Sequence, residues 1–396
     1  MKYCILIVDG ASGLPLPERG GKTCLELAST PNLDAMAREG ILGMARTIPT
    51  GMEPSSANGC LSVLGYDPRV YRLGRAAIEA RSLGIPIGEG EVVFRGNLVT
   101  VMDGKMQDYS AGHISTGEAQ QLIHALNESL GSDTVRFYPG LSYRHIVKIR
   151  GREDTLRAIC TPPHDIPGKP IKEFMPRGSG SDLLRDLMKR SEEVLREHPV
   201  NLARRSRGEL PANMFWLFWG SGREPDIPAF KQVYGLDAVA TSAVDVIQGL
   251  ARLLGMEVLK TPGVTDGLDN DFAGQVSGAL TALDEYDLVV IHIEAPDEAA
   301  HAGSIDDKIE AIRRIDSEVV SRLRAWRGDA IRVLIIPDHP TPIAIRTHSP
   351  DPVPFLLWGE GFTSNGAKRF TEAEAAKTGL FLDPGYNIMS RLVGKG

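Results

Sequence analysis

Three acidic residues and three histidines fall just behind apolar runs. Asp9 directly follows the run 3–8. Asp297 and His301 stand in Glu294-Ala295-Pro296-Asp297-Glu298-Ala299-Ala300-His301, behind the run 288–293. Asp338 and His339 follow the run 331–337, and His348 lies shortly beyond in Arg346-Thr347-His348-Ser349-Pro350. Asp297 and His301 are spaced i, i+4, so on one helical turn both side chains face the same way. Mixed oxygen and nitrogen ligation suits Mn²⁺ or Zn²⁺, and Mg²⁺ less well because imidazole matches it poorly. Singly, each residue reads as well as a helix-start acid, a surface histidine or a loop carboxylate. Six of them at one edge of one predicted sheet point to a metal centre.

A hydroxyl nucleophile would sit well in Gly51-Met52-Glu53-Pro54-Ser55-Ser56-Ala57-Asn58-Gly59, a loop of small polar residues opening into an apolar segment. There a serine oxygen would lie at a helix N-terminus, where backbone N–H groups favour an anion. An ordinary N-cap serine is the competing reading. A hydroxyl is a weak nucleophile until a base or a metal activates it. Donors for a carboxylate or phosphate are His113, Arg144, His164 and Lys169, with Arg75 and Arg95 earlier in the chain. Arginine forks and lysine point charges meet such groups, although arginines in an acidic protein also form surface pairs. The remaining histidines, including His124, His145, His198 and His292, read as structural or solvated.

The elements that must position these residues alternate. Short apolar runs at 3–8, 214–219, 236–240, 288–293, 331–337 and 354–358 read as buried, parallel-type strands. Segments with helical spacing at 33–39, 242–254 and 306–323 lie between them. Thr30-Pro31 is a helix start and Gly40 a stop. The pattern predicts an α/β fold with a doubly wound, mostly parallel sheet, whose chemistry lies beyond the carboxyl ends of the strands. Residues 93–174 read as an inserted, smaller α+β domain of about 80 residues, suited to a substrate cap. Residues 1–92 and 175–396 then form a discontinuous core.

Composition sets limits on partners. The 396 residues are 42% hydrophobic and 24% charged, ordinary for a globular chain and against disorder. A net charge of −7 leaves no global basic field for nucleic acid or anionic lipid, so a phosphorylated ligand needs local positive charge. The four cysteines form no C-x-x-C motif, which suits reduced thiols in the cytoplasm. No run approaches the ~18 apolar residues of a membrane span, and the N-terminal run is too short for a signal peptide.

Several motifs carry a family resemblance. Ile7-Val8-Asp9-Gly10, Thr30-Pro31-Asn32-Leu33-Asp34, Leu61-Ser62-Val63-Leu64-Gly65-Tyr66-Asp67-Pro68 and Phe94-Arg95-Gly96-Asn97 are followed by Gly112-His113-Ile114-Ser115-Thr116. Then come Ala295-Pro296-Asp297 to His301, Asp338-His339-Pro340-Thr341-Pro342 and Thr347-His348-Ser349 to Pro354-Phe355. In this order they resemble the cofactor-independent phosphoglycerate mutases of archaeal type, within the alkaline phosphatase superfamily. The resemblance implies an alkaline-phosphatase-like core and two divalent metal ions, with Mn²⁺ favoured and Zn²⁺ or Mg²⁺ as alternatives. Asp9, Ser56, Asp338 and His339 would hold one ion; Asp297, His301 and His348 would hold the other. Ser56 aligns with the family nucleophile because one residue separates it from Pro54, as in the family's Pro-Gly-Ser, with Ser55 at the glycine position.

The implied reaction passes a phosphoryl group from 3-phosphoglycerate through a phosphoserine to give 2-phosphoglycerate. The chain departs from the family at Ala57, commonly an aspartate, and at Tyr109-Ser110, where archaeal members carry paired arginines. Tyr109-Ser110-Ala111-Gly112-His113 is more similar to a bacterial subgroup proposed to phosphorylate homoserine. Homoserine phosphotransfer and plain phosphomonoester hydrolysis are therefore alternatives on the same scaffold, with a non-catalytic metal-binding descendant as a third.

Overall fold

The computed structural model describes residues 1–223 and 225–394, which fall into two compact units, Met1–Arg72 with Asp226–Gly396, and Leu73–Pro225. In chain order, the first unit begins with β1 (Lys2–Val8) and β2 (Ile41–Ala45). The second holds β3 (Glu91–Met102), β4 (Lys105–Asp108), β5 (Val135–Tyr138), β6 (Arg144–Arg150) and β7 (Met214–Ser221). The first resumes with β8 (Ala238–Thr241), β9 (Glu257–Val258), β10 (Leu288–Ile293), β11 (Ile331–Ile336), β12 (Val353–Gly359) and β13 (Phe381–Leu382).

The first unit's sheet has the order β13-β2-β12-β11-β1-β10-β8-β9. Its centre is parallel: β1 pairs with β10 and with β11, and β10 with β8. Cys4, Leu6 and Val8 of β1 join a core cluster on one face, while Ile5 and Ile7 are buried on the other. A continuous apolar strand is what a sheet covered on both faces requires. This is the doubly wound, mostly parallel α/β architecture read from the sequence. One departure is β12, expected as parallel-type, which runs antiparallel to both β11 and β2.

Parallel pairing aligns the ends of the three central strands, since Val8 stands opposite Ile293 and Ile7 opposite Ile336. Asp9, Asp297 and Asp338 thus leave adjacent strands at one sheet edge. The helix Pro31–Glu39 starts with its proline in the first turn and ends at Gly40. Its leading N–H groups, from Asn32 and Leu33, donate to the Asp316 carboxylate at 3.2 and 2.7 Å. The segment read as one helix over 306–323 is three pieces: a helix Ile305–Arg314, a π-helical stretch Ile315–Val320 and a turn of helix Ser321–Arg324. The π-helical stretch is where Asp316 reaches those N–H groups.

The second unit is wider than the 93–174 expected, because long-range strand pairing extends it. β7, read as a strand of the parallel sheet, pairs antiparallel with β3, Asn97 opposite Trp216. β3 also pairs antiparallel with β6 and β4, and β6 with β5. Ala76, Ala77 and Ala80 of the helix Arg75–Ser82 pack with Val93 and Ile146 of this sheet. Leu184, Leu187, Met188 and Leu195 of the helix Ser181–Arg196 share a core with Phe215, Trp216 and Phe218 of β7. Both helices therefore belong to the second unit rather than to the core in which the boundaries 1–92 and 175–396 place them.

Candidate active site

Asp9 lies one residue past β1, in a turn made tight by Gly10, whose φ is +59°. A Cβ on Gly10 would stand 2.4 Å from Asp297 Oδ1, so glycine lets the two strand ends approach. Behind β10, Pro296 opens the helix Ala295–Ala302, which places Asp297 in its first turn and His301 in its last before Gly303. The helix Ser56–Val63 abuts the Asp338 backbone at Gly59, where a Cβ would lie 2.5 Å from the Asp338 carbonyl oxygen. Glycine here lets the serine helix reach the β11 end.

The two serines separate in role. Ser55 is the N-cap, its Oγ accepting from the Asn58 N–H at 3.4 Å. Ser56, half-buried, places its Oγ 3.3 Å from His339 Nε2. Ser55 is thus engaged with its own helix, while Ser56, the serine that aligns with the family's motif, faces His339.

Hydrogen-bond direction fixes what each histidine presents. His301 Nδ1 lies 2.9 Å from the Arg346 carbonyl and His348 Nδ1 3.3 Å from the Pro54 carbonyl. Carbonyl oxygens only accept, so both Nδ1 atoms carry the proton. The two Nε2 lone pairs then face each other at 3.0 Å. Asp297 adds Oδ2 at 3.0 Å from His301 Nε2 and Oδ1 at 3.7 Å from His348 Nε2. Thr341 Oγ1 donates to Asp297 Oδ1 and, with its proton so used, accepts from His339 Nδ1 at 3.3 Å. That leaves the His339 Nε2 lone pair 3.2 Å from Asp338 Oδ2 and 3.6 Å from Asp9 Oδ1.

Lone pairs and carboxylates at such separations repel unless positive charge lies among them. Asp9 Oδ1 and Asp338 Oδ1 are fully buried and lack a hydrogen-bond partner, a state that otherwise carries a large desolvation cost. The donor sets Asp297, His301 and His348, and Asp9, Asp338 and His339, therefore fit a cation each, their ligand atoms lying within 4.8 Å of one another. A proton can take the cation's place: the bond to Asp297 pushes His301 up to about 9. Burial, with Asp338 and Glu294 nearby, raises Asp9 well above the ordinary aspartate range.

The chain is similar to known proteins in sequence and in fold. The family model for 2,3-bisphosphoglycerate-independent phosphoglycerate mutase matches residues 37–201. A 2,3-bisphosphoglycerate-independent phosphoglycerate mutase of Methanothrix thermoacetophila is 48% identical over 99% of this chain and 100% of its own. The chain belongs to this family. A probable mutase of the same description from Geobacter sulfurreducens is 42% identical over 100% of both chains. Among solved structures, a Pyrococcus horikoshii protein matches with TM-score 0.83 at 27% identity, covering 100% of this chain and 98% of that one. The cofactor-independent phosphoglycerate mutase of Thermoplasma acidophilum matches with TM-score 0.67 at 26% identity, over 100% of both.

Within this family member, the second unit gathers most of the remaining candidates around aromatic rings. The Arg75 guanidinium stacks 4.2 Å over Trp219, and His164 lies 5.5 Å from the same ring. Arg95 is buried and ion-paired with Glu79, so much of its charge is already used. His113 and Arg144 flank Tyr143, at 6.1 and 5.8 Å. His113 has a φ of +51°, directly after Gly112 at +63°, and its N–H donates to the hydroxyl of Ser110, whose hydroxyl and N–H both donate to Asp108. Lys169 stands apart from those rings, donating to the Asp165 carbonyl at 3.0 Å and lying over Phe174.

Sequence reasoning missed three supports of the metal-type cluster. Thr341 orients both Asp297 and His339. Lys308, fully buried, donates from Nζ to the Ser12 and Thr341 carbonyls at 3.1 and 2.8 Å, tying the loop after β1 to the loop after β11. His292 sits on β10 and bonds Asp9. The signal for His292 was present, as a lone polar residue in an otherwise apolar strand. Lys308 left a similar mark, as the lone charge on the apolar face that Ile305, Ile309, Ala311 and Ile312 give its helix.

Proposed function

We propose that this chain interconverts 3-phosphoglycerate and 2-phosphoglycerate by metal-dependent phosphoryl transfer through Ser56. The observation that carries the reading is the convergence of three imidazole lone pairs and three aspartates beside one serine oxygen. Asp9, Ser56, Asp338 and His339 would hold one divalent ion, and Asp297, His301 and His348 the other. Mn²⁺ suits this donor set best, with Zn²⁺ and Mg²⁺ as alternatives. When bound, such ions offset phosphoryl charge and activate a hydroxyl.

Ser56 Oγ gives up its proton and bonds to phosphorus, and the glycerate oxygen leaves with the P–O electron pair and takes up a proton to become a hydroxyl. The helix N-terminus at Ser56 favours the phosphoryl anion through its backbone N–H groups. The second glycerate hydroxyl then bonds to phosphorus and gives up its proton, while the P–Oγ bond breaks with its electron pair left on Ser56, which takes up a proton and is a hydroxyl again. Water must be kept out meanwhile, or the intermediate hydrolyses and the enzyme becomes a phosphatase. In the second unit, Arg75, Arg144, His113 and His164 offer the cationic and hydrogen-bonding groups that a carboxylate or phosphate requires; Arg95, paired with Glu79, and Lys169, apart from those rings, are the weaker candidates. The four free thiols, three of them buried, suit a reducing cytoplasm. Among the described residues, no helix is long and apolar enough to cross a membrane.

The test is product analysis. Purified protein with Mn²⁺ and 3-phosphoglycerate, and no added bisphosphoglycerate, should yield 2-phosphoglycerate by phosphorus NMR. Release of inorganic phosphate alone would instead establish a phosphomonoesterase. Phosphorylation of homoserine from a phosphate donor, without mutase turnover, would establish the phosphotransferase.

A further inference from the structure

A third cluster of ligand-type side chains, Asp9, His292 and Glu294, lies wholly inside the first unit. Its hydrogen bonds point a different way from the other two. The Val244 N–H donates to Ser242 Oγ at 3.0 Å. Ser242 Oγ in turn lies 3.1 Å from His292 Nδ1, and His292 Nε2 lies 2.9 Å from Asp9 Oδ2. All of Ser242, His292 and Asp9 are buried.

With Asp9 ionised, as a cation ligand must be, one assignment of protons satisfies this chain. If His292 carried its proton on Nδ1, its Nε2 lone pair would abut the Asp9 carboxylate at 2.9 Å, and Ser242 Oγ would receive two N–H groups. With Ser242 donating to Nδ1, every contact has one donor and one acceptor, and Nε2–H donates to Asp9 Oδ2. His292 therefore spends its lone pair on Ser242 and offers a proton, where His301, His339 and His348 offer lone pairs. Glu294 Oε2 is farther, 3.6 Å from Nε2.

We propose that His292, locked by the Val244–Ser242 relay in its Nε2–H tautomer, is a positioning residue for Asp9. It occupies Oδ2, fixes the carboxylate rotation and leaves Oδ1, which has no hydrogen-bond partner, turned toward His339. The cluster is thus a support for a ligand and not a further metal site. The backbone adds rigidity, since Gln275 Nε2 donates to the His292 carbonyl at 3.0 Å. The inference rests on the reading of Asp9 as a ligand of one of two cations.

Mn²⁺ alone, titrated into chelator-stripped protein, tests it, with free Mn²⁺ read by electron paramagnetic resonance. The wild type should bind two ions. Ser242→Ala and His292→Gln should each weaken one of the two binding steps by about 10–100-fold, the usual effect of losing a partner behind a ligand. The step assigned to Asp297, His301 and His348 should stay within about twofold, and Ser242→Thr, which keeps the hydroxyl, should bind as the wild type does. Circular dichroism and apo-protein melting identify any variant that fails to fold; should His292→Gln do so, the Ser242→Ala and Ser242→Thr pair decides. Two wild-type steps in folded Ser242→Ala, or equal weakening in Ser242→Thr and Ser242→Ala, would overturn the relay. A wild type that binds no Mn²⁺ would instead overturn the two-cation reading on which the relay rests.

Discussion

Ser55 and Ser56 are neighbours with the same side chain, and the fold gives them opposite work. Ser56→Ala removes the oxygen beside His339 Nε2, so mutase turnover should fall by at least about 10³-fold with little change in melting temperature. Ser55→Ala removes the cap on the Asn58 N–H, which should cost about 1 kcal/mol of stability while most activity remains. Steady-state assays and thermal melts of the two variants separate the roles; a dead Ser55→Ala beside an active Ser56→Ala would reverse the assignment. At this scale the sequence was most informative. The residues that read as metal ligands do converge, because side chains that leave adjacent parallel strands must. What it could not carry was proton direction. Whether an imidazole offers a lone pair or a hydrogen depends on the partner of its other nitrogen, and Arg346, Pro54, Thr341 and Ser242 come from distant parts of the chain.

Helices and strands decide how closely those residues meet. Gly59→Ala places a methyl 2.5 Å from the Asp338 carbonyl oxygen, so the helix Ser56–Val63 or the loop after β11 must shift. A displacement near 1 Å should lower kcat by about 10²-fold with far-ultraviolet circular dichroism unchanged, and full activity would refute the close-approach role. On β6, His145 gives an element-level pH dependence. Burial, with Arg95 nearby, pushes it from 6.5 down to about 3, while its Nδ1 accepts from the Gly140 N–H at 3.0 Å. Folded His145 stays neutral where the unfolded chain takes up a proton, so its contribution is complete above pH 6.5 and is lost as pH falls toward 3. Each unit below 6.5 should cost about 1.4 kcal/mol, or roughly 2 kcal/mol by pH 5. Urea unfolding of wild type and His145→Gln at pH 7 and pH 5 measures the difference; equal slopes would exclude it. The strands themselves were legible as buried apolar runs. Their partners were not: Met214–Ser221 and Leu288–Ile293 look alike in sequence, yet one is antiparallel in the second unit and the other parallel in the first.

At the scale of the whole molecule, each unit has its own apolar core, one built around β1, β10 and β11, the other around β3, β6 and β7. The sequence placed the change of domain where composition shifts, near 93 and 174, whereas the compact units divide at Leu73 and Pro225. The reason is long-range pairing between β3 and β7, which leaves no local pattern in the chain. Two cores with one metal-type cluster give an asymmetric response to cations. All seven ligand candidates, Asp9, Ser56, Asp297, His301, Asp338, His339 and His348, belong to the first unit. A ligand that binds only the folded state stabilises it by about 2.7 kcal/mol at a hundredfold excess over Kd, and the effect belongs to the unit that binds. Calorimetry of chelator-stripped protein should therefore show the first unit's transition rising by several degrees when Mn²⁺ is added, while the second unit's stays in place. Hydrogen exchange assigns the transitions, since amides of β1, β10 and β11 should gain protection and those of β3, β6 and β7 should not. Protection gained equally in both sets would mean that the bound ions stabilise the second unit as well, and the assignment of every ligand to the first would fail.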